Sequence, residues 1–435
     1  MGLLDTVTSS ASNFSSMSSN SLGGLSGLAG PTTFTNLTYS TMMNKYQDLQ
    51  YPRAEILLGG KALLSDSVDM MVNDIHIELS AGFEASIATF RIYNVYKKTT
   101  SGGNFRFDEL KSQVVMGNSV TIKLGYLGTR ETVFVGFVAG VTFGYAEAQL
   151  PYIEVSCMDL KGMMMGGLYA RQCTARSYSR AVNEVLQRTV YETLKSSGAV
   201  AGVEVDSTPD DPPPTTESAY TVEMVSESDY EFVVKAAKKF NYEFFVDRGK
   251  VLFRKAKKDT SNLITIGPEG LMVSFRVEYS LTSLVGTIEA RAMDPGAGKV
   301  ISAKSTFPSM GASISTGNSA KKLVSGGTKV YIDPTINSTT QAQSRVDSLM
   351  EQMSYRLGSL EAECIGTPEM VPGRFIKVEG LGSPADNSFY LTEVTHDFTS
   401  DGGYRTRITG CANKLQSTLA GAGNLSTGLG GMINL

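Results

Sequence analysis

With 435 residues, the chain is long enough for two to four domains of ordinary size. Hydrophobic residues make up 41% and charged residues 19%, the balance of a globular chain rather than a disordered one. A net charge of −4 without clustered Lys or Arg excludes a nucleic-acid grip, and no run of eighteen apolar residues predicts a membrane-spanning segment.

Residues 1–50 are rich in Ser, Gly, Thr and Asn, which bury too little apolar surface to offset the entropy of ordering them. This segment is expected to be flexible, as is a tail over residues 416–435. Over residues 51–160 the pattern changes to period two. Ile75, Ile77 and Leu79 alternate with polar neighbours, as do Val120, Ile122 and Leu124, then Ile153, Val155 and Cys157. Such alternation predicts half-buried antiparallel strands in a sandwich or barrel, interrupted by a short helix near residues 108–114.

Residues 161–268 read as a compact α+β insert. Tyr178, Ala181, Val182, Val185 and Leu186 share one helical face. Ser228 and Glu231 form a capping box that opens a second helix, and Asp247-Arg248-Gly249-Lys250 turns a hairpin directly after it. Pro212, Pro213 and Pro214 predict a stiff surface loop. Met163, Met164 and Met165 form either a core turn or an adaptable partner surface.

Strands return over residues 269–415, starting with the alternation Val273, Phe275, Val277, Tyr279. Further strands are expected near 285–293 and 299–304, then a long loop over 305–328, a helix over 340–357 and three final strands. At a constant spacing of 254 residues, Ile122 matches Ile376, Lys123 matches Lys377, Gly128 matches Gly382 and Cys157 matches Cys411. Either the two β regions are copies, or strand-and-turn chemistry has converged.

No catalytic constellation emerges. The four cysteines lack C-x-x-C spacing, and only two histidines are present. His396 and Asp397 are neighbours on a strand, so they point to opposite faces and do not pair with each other. Glu361 and Glu363 share a strand face, which reads as solvated surface. No catalytic, cofactor-binding or metal-binding residue is predicted, and the chain is not expected to be an enzyme.

The segment Gly117–Val138, with Gly125-Tyr126 before a polar turn and Val133-Phe134-Val135-Gly136-Phe137-Val138 after it, resembles the first tube domain of phage tail hub proteins. That group comprises the late control D family and the N-terminal hub part of VgrG proteins. Residues 228–255 are similar to the family's helix-plus-hairpin, and residues 366–410 resemble its second tube domain through Pro372-Gly373, Gly380 and Phe389-Tyr390-Leu391.

The resemblance implies a mainly β fold of two similar antiparallel β-barrel, tail-tube-like domains (51–160 and 269–415) plus the small α+β domain. It implies a structural baseplate hub, a homotrimer adapting a six-fold tail tube protein to a separate trimeric spike protein beside other baseplate proteins. No cofactor is implied. Such a particle is assembled in the cytoplasm, then acts in a virion tail or an extracellular injection device. Candidate tube-domain positions are Gly125, Tyr126, Phe134, Gly136, Phe137, Gly380, Tyr390 and His396. The alternatives are a tail-associated cell-wall hydrolase or another tail-tube or baseplate component.

Overall fold

A computed structural model describes residues 34–415, apart from 65–68, 101, 147–149, 211–220, 295 and 309–321. The expected tail over 416–435, the Pro212–Pro214 loop and most of the predicted 305–328 loop therefore lie outside the described residues.

Six strands build a first unit: β1 (Pro52–Leu58), β2 (Met71–Ser80), β3 (Ile87–Tyr93), β4 (Ser119–Tyr126), β5 (Thr129–Gly144) and β6 (Tyr152–Met158). Six more build a second: β7 (Asn262–Ile266), β8 (Met272–Tyr279), β9 (Gly358–Ile365), β10 (Phe375–Val378), β11 (Asn387–Thr399) and β12 (Gly403–Ala412). The spatial order is β2-β3-β6-β5-β4-β1 in the first unit and β8-β9-β12-β11-β10-β7 in the second. Numbered within its own unit, each reads second, third, sixth, fifth, fourth, first. One pairing differs, since β1 runs antiparallel to β4 whereas β7 runs parallel to β10.

Antiparallel pairing of β11 with β2 joins the two units into one hydrogen-bonded sheet. Three successive antiparallel pairings separate β2 from β5, so those two strands also oppose each other. Hence β5 and β11 run the same way, and the units point in the same sense. A single hydrophobic cluster runs through both, including Phe90 and Val155 on one side and Phe389 and Ile408 on the other.

The period-two pattern produces this arrangement because alternate side chains share a face, and each strand buries its apolar row. In β3 the buried Ala88, Phe90 and Ile92 alternate with half-buried neighbours. The edge strand β8 departs from expectation. Val273 and Phe275 are about half exposed, because β8 has β9 on one side and no strand on the other among the described residues.

The insert holds helices α2 (Tyr178–Leu186) and α3 (Asp229–Phe240) on a three-stranded sheet of residues 202–205, 250–255 and 242–247. The Ser228–Glu231 capping box is formed in both directions, and Asn241 closes α3 in the left-handed conformation. The insert core (Phe232, Val233, Phe244, Phe253) includes Phe137 of β5, which fastens it to the first unit.

Two further differences from the sequence reading have clear causes. Residues 34–50, expected to be flexible, carry helix α1 (Tyr39–Tyr46), capped by Thr38. Met42 and Tyr46, one helical turn apart, are buried in the shared core, and that burial supplies what the polar composition concealed. Strands 287–294 and 299–306, expected within the second barrel, join a strand the sequence reading did not anticipate, 328–332, in a separate three-stranded sheet. Helix α4 (Thr339–Ser354) covers it through Ala342, Val346 and Met350, giving it a core of its own.

Candidate assembly interface

A network of polar side chains joins the two units. In the β11–β2 ladder Asp397 lies opposite His76, and Phe398 opposite Ile75. His76 Nδ1 is 2.6 Å from Asp397 Oδ1, and its Nε2 is 2.8 Å from Glu78 Oε1. The Asp397 hydrogen bond, supported by Glu78, pushes the imidazole up to about 9 against the opposing effect of burial. His76 in turn holds the Asp397 carboxyl below the usual range, with Arg407 Nη1 3.1 Å away. At neutral pH the seam is therefore bridged by a cation and an anion.

Beneath it, Tyr126 donates its hydroxyl hydrogen to the Gly366 carbonyl oxygen at 2.8 Å, from the first unit to the second. Its ring lies against Tyr46 and Tyr404, with centroids 5.4 and 6.0 Å away. Buried Glu369 accepts from Tyr46 and from Lys45, each at 2.6 Å, and Lys45 also reaches Glu131 at 2.7 Å. Helix α1 thus clamps both units.

Seven of the eight candidate tube-domain positions lie inside the chain, and Gly380 is exposed on its surface. Tyr126, Phe134, Phe137, Tyr390 and His396 are buried. Tyr390 donates to Glu243 of the insert, which also pairs with Arg254. A methyl at Gly125 would strike the Thr129 carbonyl oxygen, and one at Gly136 the Met158 carbonyl oxygen, so both glycines permit close strand contacts. Gly380 has φ +88°, a conformation that favours glycine. Tyr126 and Tyr390 thus tie separate parts of this chain together, while Gly125 and Gly136 let its strands approach.

Exposed apolar groups, the marks of a docking surface, lie elsewhere. Phe143 and Tyr145 project at the far end of β5, where Phe143 meets Phe105 and Phe107 edge-on and Tyr145 meets Tyr96. Val273 and Phe275 stand on the free edge strand β8. The three consecutive methionines divide: Met164 is in the insert core, while Met163 and Met165 are about half exposed. Sequence reading missed Phe143 and Tyr145, although Val141, Phe143 and Tyr145 continue the period-two signal beyond Gly140.

Burial lowers His396 to about 3, so the ring is neutral, accepting from Tyr404 Oη at 2.9 Å and donating to the Met370 carbonyl oxygen at 3.2 Å. Asp397, its chain neighbour, faces His76 instead. Glu363 is flanked by Arg407 at 3.4 Å and Arg405 at 3.9 Å. Among the described residues no group of three His, Cys, Asp or Glu is placed to hold a metal, and no helix is long and apolar enough to cross a membrane.

This architecture is shared with phage tail proteins. The 43 kDa tail protein of prophage MuSo2 from Shewanella oneidensis superposes with a TM-score of 0.56 at 14% identity, covering 82% of this chain and 98% of that one. A tail protein from Neisseria meningitidis MC58 gives 0.56 at 12% identity, covering 83% and 97%. At these identities the likeness concerns the fold, and it agrees with the tail-hub resemblance read from residues 117–138 and 366–410. No curated protein sequence matches the chain. A family model does, over residues 53–400, from β1 to the end of β11, and the chain belongs to that family, the Alg8 N-terminal domain.

Proposed function

We propose that the chain is a structural hub of a contractile phage tail or related contractile injection system. It acts as a homotrimer that adapts a six-fold tail tube to a separate three-fold spike, beside other baseplate proteins. One observation carries this reading: a single chain holds two units of identical strand order, joined in the same sense by one continuous sheet. Three such chains offer six similar units around an axis that remains three-fold, which is what a joint between six-fold and three-fold partners requires.

The differences between the units suit the same reading. Residues 94–118 interrupt the first unit between its third and fourth strands, and residues 280–357 interrupt the second between its second and third. Around a trimer each feature recurs three times, so the inserts carry the three-fold character while the shared sheet carries the six-fold one. The fold shared with tail proteins supports a place in a tail. A structural rather than hydrolytic role is supported by the neutral buried His396 and by the pairing of Asp397 and Glu363 with cations.

Co-expression with the tube and spike proteins of the same particle tests the proposal. Light scattering should give three chains per complex, and electron microscopy should place them between tube and spike. A single chain per complex with both partners present would overturn it. Peptidoglycan turnover by the purified chain, abolished by substituting one carboxylate, would favour the hydrolase instead.

A further inference from the structure

The seam inside the chain specifies a second seam that the chain leaves open. In both units the fifth strand is longer than the fourth. The β4–β5 ladder and its extension end where Gly117 donates to the Val138 carbonyl oxygen at 2.9 Å, and Val138 to that of Asn118 at 2.9 Å. In the second unit the corresponding bonds join Gly373 to Leu391 at 2.9 Å and Leu391 to Arg374 at 2.8 Å. A bulge follows at once in both, between Val138 and Gly140 in β5 and between Leu391 and Glu393 in β11.

Beyond the bulge the units part company. Residues 393–398 of β11 are paired along this edge with β2, whereas the corresponding edge of β5 has no strand beside it among the described residues. The outer edge of β8, which corresponds to β2, also has no strand beside it among the described residues. Each chain therefore has one filled junction and both halves of an unfilled one.

The ladders fix which residues correspond. Across the first unit, His76 lies opposite Thr89, Thr89 opposite Ser156 and Ser156 opposite Gly140. Across the second, Arg276 lies opposite Glu361, Glu361 opposite Thr409 and Thr409 opposite Glu393. In this alignment β2 residues 75–79 become 275–279 of β8, and β11 residues 394–398 become residues 141–145.

We propose that residues 141–145 of one copy pair antiparallel with β8 of the next, in the register of the internal seam. Transferring that register sets Tyr145 opposite Phe275, Phe143 opposite Val277 and Thr142 opposite Glu278. The surface of the monomer supports this choice of occupant. Tyr145 is 68% exposed, Phe143 48% and Phe275 46%, and the transferred register brings these solvent-facing rings onto one face of one ladder. Their counterparts in the internal seam, Phe398 opposite Ile75 and His396 opposite Ile77, form its core-facing row. An open edge flanked by apolar side chains is a template for another strand, and here the chain itself carries the complementary edge.

The contact is head-to-tail, so it generates a ring or a filament, not a two-fold dimer. Closure at three copies rests on the trimer reading above.

Cysteine pairs in the full-length protein test the register. Thr142 and Glu278 are exposed, so Thr142→Cys with Glu278→Cys leaves each core intact. Mild oxidation should convert most of the assembled double variant into covalent dimers and trimers. Each single variant, and Thr142→Cys with Ser274→Cys, should give at least ten-fold less product. Light scattering of the reduced samples separates the two ideas. Three-chain particles without the cross-link would overturn this seam while leaving the trimer standing, and particles of one chain would overturn the trimer itself. Phe275→Glu adds a second check: the assembly should fall to monomers while the thermal melting profile of the chain persists. A trimer unaffected by that charge would also refute the seam.

Discussion

The two six-stranded units follow one path through space but fill it with different residues. On the row that crosses their cores, Phe90, Val155 and Val141 in the first unit correspond to Ala362, Ile408 and Val394 in the second. Bulk supplied by Phe90 on the third strand is absent at Ala362, where Tyr404 and His396 occupy the interior nearby. Burial and strand order have been kept, whereas the volume at each position has been redistributed, as packing density requires of any core whose side chains change size.

The largest expected effect follows from that redistribution. Phe90→Ala should cost about 3–5 kcal/mol, because it removes a fully buried ring and leaves a cavity. Ala362→Gly, at the corresponding position, should cost only about 1 kcal/mol through backbone entropy and a lost methyl. Urea unfolding of both variants measures the contrast. Equal losses would show that the two positions are not counterparts.

A sharper comparison concerns the glycines that let strands approach. A methyl at Gly136 would meet the Met158 carbonyl oxygen, a backbone atom that cannot swing aside. In the second unit the corresponding position is buried Phe389, and close approach is provided by Gly410, whose added methyl would sit 3.1 Å from the Tyr390 carbonyl oxygen. Gly136→Ala should therefore cost about 2–3 kcal/mol by prying β5 from β6, and Gly410→Ala about 1 kcal/mol or less. Thermal melting of the two variants checks the order, and a reversal would contradict the strand alignment.

That alignment also explains how far the amino-acid sequence could be read. Local signals were plain: the Ser228–Glu231 box, the hairpin after α3 and the alternation in β3, β4 and β6 each depend on near neighbours. The internal repeat was visible only in outline. Matching bulges set Val138 against Leu391 and Met158 against Cys411, so the 254-residue match of Cys157 with Cys411 pairs a core-facing thiol with one on the other face. The ladders set these strands 253 residues apart, not 254. A one-residue error in the offset compares opposite faces, and nothing in the local alternation fixes the offset between distant strands. The seam between β11 and β2 joins residues more than 300 positions apart, beyond the reach of periodicity. Candidate residues such as Tyr126 and Tyr390 were noticed because large aromatic side chains mark strands well, and for the same reason they proved to be interior.

The two histidines offer the finest test, because the two sides of the seam oppose each other in sign. His396, lowered to about 3 by burial, resists protonation when folded, while the unfolded chain takes up a proton near 6.5. Its environment should thus withdraw about 2 kcal/mol of stability by pH 5 relative to pH 8. His76, raised to about 9 by Asp397 and Glu78, has the reverse linkage: its stabilisation is complete below about 6.5 and is lost as pH rises through 9. Because that side chain is 37% exposed, solvent screening limits the effect to about 1 kcal/mol or less. Urea midpoints from pH 5 to 9.5 should show His396→Gln flattening the acid limb and His76→Gln flattening the alkaline limb. If His76→Gln kept the wild-type alkaline slope, the Asp397 pair would carry no stability of its own. The backbone ladder, Tyr126 and helix α1 would then hold the units together, and the corresponding seam between copies, with Gly144 opposite Arg276 instead of an ion pair, would lack nothing that matters.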